Sequence, residues 1–172
     1  SGEGIFRGIG KGTSDNFEVS GGTFNKSISE GFCADGFIPT KNADGTYGVK
    51  EGSYVAEVGS KKYETLTDAI RLAANGKTVK ILADVTENIT IAANKKITLD
   101  LNGHTLNGGT GNANAAILNK GTVTITDTSA DKTGTIKRDD QGIANEKSYY
   151  VIDNNGTMVI DQANVVNNSG AK

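Results

Sequence analysis

The side chains of this chain best placed to do chemistry are its carboxylates. Asp100 and Asp161 each fall just beyond an alternating apolar stretch, Ile97-Thr98-Leu99 and Met158-Val159-Ile160, so they hold the same place in a repeated unit. If such units stack at the usual strand spacing with one between them, the two carboxyls lie about 9–10 Å apart. That separation is compatible with an inverting glycosidase, which seats a water between its acid and its base. Thr126 stands between them in the column, however, and acidic residues on the outer face of a strand are ordinarily solvated. No third carboxylate completes a cluster. Asp139-Asp140 sits between Arg138 and Gln141-Gly142 and reads as a charged turn. His104 is the single histidine, in Asn102-Gly103-His104-Thr105-Leu106, and without Cys or further His it builds neither a zinc site nor a triad.

Calcium is the one cofactor with any hint. Asp127-Thr128-Ser129-Ala130-Asp131 places oxygens at alternate positions ahead of Gly134, in the manner of an oxygen-rich cation loop. Arg138 stands where such a loop needs its twelfth-position glutamate, so a polar insertion is the preferred reading and no cofactor is expected. The glycine run 107–113 opens no helix and lacks the third glycine of a dinucleotide fingerprint. Cys33, alone between Phe32 and Ala34, is expected to be a small buried hydrophobe.

Binding offers more than catalysis. Tyr149-Tyr150 follow the charged segment 137–147 and immediately precede a strand at Val151. If that segment is extended, one of the two rings must face outward. With Lys137, Arg138, Asp139 and Asp140 they form the recognition surface that the sequence suggests. The segments 107–116 and 128–148 are the largest departures from a minimal repeat, and partners are expected there first.

These residues need elements to position them. The chain has 172 residues, 35% hydrophobic and 22% charged, with 23 Gly, 17 Asn and 19 Thr but a single Pro and no Trp. The glycines have no three-residue period, which excludes collagen. Apolar β-formers recur in alternating runs, which argues against disorder. A net charge of −2 lacks the basic footprint of a nucleic-acid binder. No apolar stretch reaches the ~18 residues of a membrane span, so membrane insertion is not expected. Opening on Ser1-Gly2, the chain reads as a segment of something longer.

One amphipathic helix is expected over 66–75. Thr65 or Thr67 would cap it, Leu66, Ala69, Ile70 and Ala73 would form its stripe, and Asn75-Gly76 would end it. From Lys77 onward the period is two. Asn94-Lys95-Lys96-Ile97-Thr98-Leu99-Asp100, Asn119-Lys120-Gly121-Thr122-Val123-Thr124-Ile125 and Asn154-Asn155-Gly156-Thr157-Met158-Val159-Ile160 are versions of one turn-then-strand unit. Leu99, Ile125 and Ile160 are 26 and then 35 residues apart, as in a solenoid with loop insertions. The expected inward columns are Ile97-Val123-Met158 and Leu99-Ile125-Ile160; the outward ones are Thr98-Thr124-Val159 and Asp100-Thr126-Asp161. The fold class is therefore all-β, a parallel β-helix with the short α-helix covering an open end. An all-β sandwich also explains short strands, but not the repeated unit.

Two segments resemble a known family. Tyr54 to Gly59 and Lys62 to Ile70, followed by Gly76-Lys77-Thr78-Val79-Lys80-Ile81-Leu82-Ala83-Asp84-Val85 and Asp100-Leu101-Asn102-Gly103-His104-Thr105-Leu106, resemble the opening of right-handed β-helix modules in large surface proteins of gut Firmicutes. Ser20-Gly21-Gly22-Thr23-Phe24 with Asp44-Gly45-Thr46-Tyr47-Gly48-Val49 resembles the closing of such a module. The resemblance implies a right-handed, pectate-lyase-like solenoid, with residues 1–50 as closing coils of one module and 51–172 as opening coils of the next. The two parts would form one continuous body or stack between molecules. It also implies an extracellular, non-catalytic adhesion module that recognises host macromolecules, protein or glycan. Some similar proteins capture immunoglobulins, which makes immunoglobulin the specific expected partner, alongside neighbouring modules of the parent chain. The alternatives are a polysaccharide-cleaving domain and a structural spacer. The hydrolase motifs Asn-Thr-Asp, Asp-Asp and Gly-His-Gly do not occur in order here, and no Arg lies on a repeat strand beside an Asp cluster, as the lyases require.

Overall fold

The structure is a computed structural model and describes residues 18–108, 114–139 and 150–168. The chain divides into two compact units, Ser1–Ser53 and Tyr54–Lys172. Among the described residues strands are the main regular element of each, and one α-helix accompanies them. No helix among the described residues is long and apolar enough to cross a membrane.

The first unit is built on a hairpin, β1 (Phe37–Lys41) with β2 (Tyr47–Glu51). The Asp44-Gly45 turn closes it as the sequence predicts. Gly45 takes φ +86°, and the Asp44 carboxylate accepts the Thr46 N–H (3.0 Å) and Oγ1–H (2.6 Å). Val19 bridges to Cys33 and Phe24 to Tyr47. Cys33 is only half-buried, contrary to expectation, because the short 3₁₀ turn Glu30–Phe32 beside it contributes no buried residue.

The second unit begins with a hairpin, β3 (Ala56–Val58) and β4 (Lys61–Tyr63), and then α1 (Leu66–Leu72). Thr65 is the N-cap, accepting from the Asp68 N–H at 3.2 Å. Leu66, Ala69 and Ile70 are buried as their spacing requires. The helix stops three residues earlier than expected, at Leu72. Ala73 already has ψ 132°, and the Asn75 side chain is drawn into bonds with the Lys96 N–H (2.9 Å) and the Asn94 carbonyl (3.0 Å).

Eleven further strands follow among the described residues: β5 (Thr78–Ile81), β6 (Val85–Thr86), β7 (Ile89–Ile91), β8 (Lys96–Asp100), β9 (Thr105–Asn107), β10 (Ile117–Asn119), β11 (Thr122–Thr126), β12 (Thr135–Arg138), β13 (Ile152–Asn154), β14 (Thr157–Ile160) and β15 (Asn164–Asn167). Pairing advances by three. β7, β10 and β13 form one sheet; β6, β9, β12 and β15 form a second; β14, β11, β8, β5, β3 and β4 form a third. Every pair from β5 onward is parallel, and only β3 with β4 and with β5 is antiparallel.

The register carries the expected columns. Val123 pairs with Ile97 and Met158, and Ile125 with Leu99 and Ile160. Two further apolar columns are Val85-Leu106-Ile136-Val165 and Ile89-Ile117-Ile152. Ile97, Leu99, Val123, Ile125, Leu106 and Ile136 all belong to one buried core with the helix residues Leu66 and Ile70. Each such side chain contributes about 1.5–3 kcal/mol by leaving water, and a one-residue slip would turn the whole set outward.

Candidate functional site

Parallel strands that alternate inward and outward force neighbouring residues onto opposite faces, and this sorts the candidate binding residues. Ile136 lies in the inward column, so Arg138, two residues on, is inward as well. It is 1% exposed. Arg138 is therefore not an exposed anchor, which corrects its place on the expected recognition surface with Lys137, Asp139 and Asp140. The alternation from Ile136 was the available signal.

Lys137 takes the outward position, in register with Asn107 below and Val166 above. Its Nζ donates to Asp139 Oδ2 at 2.6 Å, and both side chains are about one-third exposed. The Asp139 carboxylate also accepts the amides of Asn107 (3.2 Å, at Oδ2) and Asn168 (2.9 Å, at Oδ1). These four residues form a polar patch across three successive rows of the sheet. The Lys137 ammonium, then the Asn168 amide, hold the Asp139 carboxyl below its ordinary pKa. An ionised, charge-compensated carboxylate is a poor general acid and a good fixed acceptor. Asn107 Oδ1 is buried and makes no hydrogen bond among the described residues. Asn107 and Asn168 were not expected here. They meet Asp139 only because strands about 30 residues apart lie side by side.

Tyr150 is 63% exposed and the next residue, Val151, is buried, so the chain does turn a ring outward before β13. That strand belongs to a different sheet from Lys137. Tyr149 and Asp140 lie outside the described residues, as do parts of the two long segments, 109–113 and 140–149.

The proposed acid pair is not disposed for catalysis. Asp100 is 3% exposed rather than outward and solvated. Its oxygens accept the Asn102 N–H (3.0 Å), the Thr128 N–H (2.9 Å) and the Thr128 hydroxyl (2.7 Å), tying a strand end to the next row. Asp161 is exposed and accepts from Thr126 Oγ1 at 3.3 Å. The cation-loop candidate is used in the same way. Asp127 Oδ1 accepts the amides of Gly103 (2.9 Å) and Ser129 (3.0 Å), and Oδ2 that of Gly134 (2.6 Å). Both oxygens serve backbone donors rather than facing a shared cavity. Asp131 is exposed, and no group of three or more potential metal-ligating side chains occurs among the described residues. His104 closes the Leu101–His104 turn, its Nδ1 3.5 Å from Asp84 Oδ1. Comparison of the chain with protein-family models, with curated proteins and with solved structures finds no match.

Proposed function

We propose that the second unit is a right-handed parallel β-helix, a pectate-lyase-like solenoid capped by α1, and that it is a non-catalytic binding module. In this reading the chain is displayed outside a bacterial cell, and residues 1–50 and 51–172 are the closing and opening coils of successive modules. Its partners are host macromolecules, protein or glycan, with immunoglobulin first among them. The fold reading is supported by the three-strand advance of the pairing, since a coil of three strands per turn stacks in that manner.

The functional reading rests on one observation: the Lys137–Asp139 patch on the outer face of a parallel sheet. A preset, charge-compensated set of donors and acceptors suits recognition of a polar partner surface more than bond cleavage. Tyr150 supplies an exposed aromatic of the kind that anchors interfaces. The acidic pair offered for polysaccharide cleavage is occupied elsewhere, as described above.

The test is binding of the purified chain to immobilised immunoglobulins of several variable-region families, with mucin, fibronectin and a polysaccharide panel in parallel. The expected result is saturable binding to one immunoglobulin family. Tyr150→Ala or Lys137→Ala should weaken it about tenfold or more with an unchanged melting temperature. Binding to none of the proteins, or polysaccharide breakdown, would overturn the reading in favour of a spacer or an enzyme.

A further inference from the structure

The two borders of the second unit's sheets differ. At one, α1 packs on β3, β4, β5 and β7. At the other, β13, β14 and β15 are the last strands of their sheets. The second border exposes apolar side chains among polar ones. Ile160 and Val165 are each 46% exposed, although the earlier members of their columns, Leu99, Ile125, Leu106 and Ile136, are fully buried.

The hydrogen-bonding polarity of this border can be read directly. Asp161 donates its N–H to the Ile125 carbonyl and Asn164 donates to the Gly134 carbonyl, both at 2.9 Å. Main-chain groups of successive strand residues point to opposite sides. Those of Ile160 and Val165 therefore face the open side. Asn154 points the same way: its Oδ1 accepts from Asn119 Nδ2, while its own Nδ2 has no acceptor among the described residues.

A segment of the first unit has the complementary form. Val19 and Phe24 are five residues apart, as are Ile160 and Val165. Val19 donates to the Phe32 carbonyl (2.8 Å) and accepts from the Ala34 N–H (3.0 Å); Phe24 exchanges both bonds with Tyr47 (2.7 and 2.8 Å). Because a trans peptide is planar, with its C=O opposite its N–H, these bonds turn the Glu18 and Thr23 carbonyls and the Ser20 and Asn25 N–H groups to the other side. There they make no backbone hydrogen bond among the described residues.

We propose that the Glu18–Asn25 segment of one molecule seats on the β14–β15 border of a second copy of this chain. Val19 then stands in register with Ile160, and Phe24 with Val165. The Ile160 N–H meets the Glu18 carbonyl and its carbonyl meets the Ser20 N–H. The Val165 N–H meets the Thr23 carbonyl and its carbonyl meets the Asn25 N–H. Donor and acceptor parity, residue spacing and the apolar columns all agree in this one register, and it continues the parallel pairing already present between β11 and β14 and between β12 and β15. The two contacting surfaces are different, and each molecule carries one of each. The contact is therefore heterologous and, unless it closes into a ring, open-ended. It is separate from the Lys137–Asp139 patch.

Sedimentation velocity of the full chain from about 5 μM to about 500 μM reads the association. The expected result is a reversible rise of the average mass past that of a dimer. Ile160→Lys should leave a monomer at every concentration with an unchanged circular dichroism spectrum. Val159→Lys, on the outward face of the same strand, should still associate. A second blocked variant, Ser20→Pro, removes the facing N–H on the other surface; mixed with Ile160→Lys it should give dimers and nothing larger. A wild-type chain that stays monomeric throughout, or association that survives Ile160→Lys, would each overturn the proposal.

Discussion

The side-chain amide of Asn119 donates to Oδ1 of Asn154 at 2.7 Å, joining two residues 35 apart in the chain and one strand row apart in the sheet. Asn119 is fully buried. Its amide also reaches the Thr157 carbonyl (3.1 Å), and its own carbonyl accepts the Gly121 N–H (3.1 Å). One side chain thus closes its own turn and fixes the register of the next. Asn119→Asp keeps the shape but sets a carboxylate against two acceptors. It should cost about 2–3 kcal/mol, since buried groups left unmatched carry most of their desolvation penalty. Urea denaturation at neutral pH checks this.

The glycine two residues further on is required by contact. A Cβ on Gly121 would lie 2.3 Å from the Ala92 carbonyl and 2.6 Å from that of Lys95, both backbone atoms of the preceding row. Gly121→Ala should destabilise by about 2 kcal/mol or more. Gly31→Ala, where nothing lies within 4 Å, should leave stability nearly unchanged. Thermal melts of the two variants against the parent decide it.

Asp127 makes the second unit acid-sensitive. Burial works against its charge, but hydrogen bonds from Ser129, Gly134 and Gly103 outweigh it and hold the carboxyl below its ordinary pKa. The folded value lies below the unfolded one, so protons favour the unfolded chain. The contribution is whole above about pH 4–5 and fades as pH falls through the depressed value. Asp139 acts in the same direction. Asp127→Asn should melt lower at pH 7 and show a flatter acid limb than the parent. Melting curves between about pH 2 and pH 7 test this, and a parallel acid limb in the variant would contradict it.

Glu87 holds the start of α1 from outside the helix. Its carboxylate accepts the Leu66 N–H (2.8 Å), the Thr67 N–H (3.0 Å) and the Thr67 hydroxyl (2.8 Å). Removing it in Glu87→Ala leaves the first helical amides without that acceptor and should cost about 1–2 kcal/mol. Hydrogen exchange should show the loss concentrated at residues 65–70, with the β11–β14 amides protected as before.

The repeated unit and the columns of β8, β11 and β14 were legible in the sequence, because a period of two, with Asn-x-Gly-Thr ahead of both Val123 and Met158, leaves one register that sets Leu99, Ile125 and Ile160 in one column. The helix was legible from its stripe, and the β1–β2 turn from Asp44-Gly45, since each depends on neighbours a few residues away. Arg138 could have been placed from Ile136 by the same rule, but a charged residue beside two aspartates suggested a solvated turn instead. The rest depends on distance along the chain. Nothing near Asp100 predicts that Thr128 will satisfy it, nor does anything near Thr67 point to Glu87, and the patch around Asp139 draws on Asn107 and Asn168 from the flanking rows. Sequence alone determined which side chains alternate. Tertiary stacking decided which polar groups are left for a partner, because a carboxylate or amide between two rows is claimed by whichever backbone the stack brings within 3 Å.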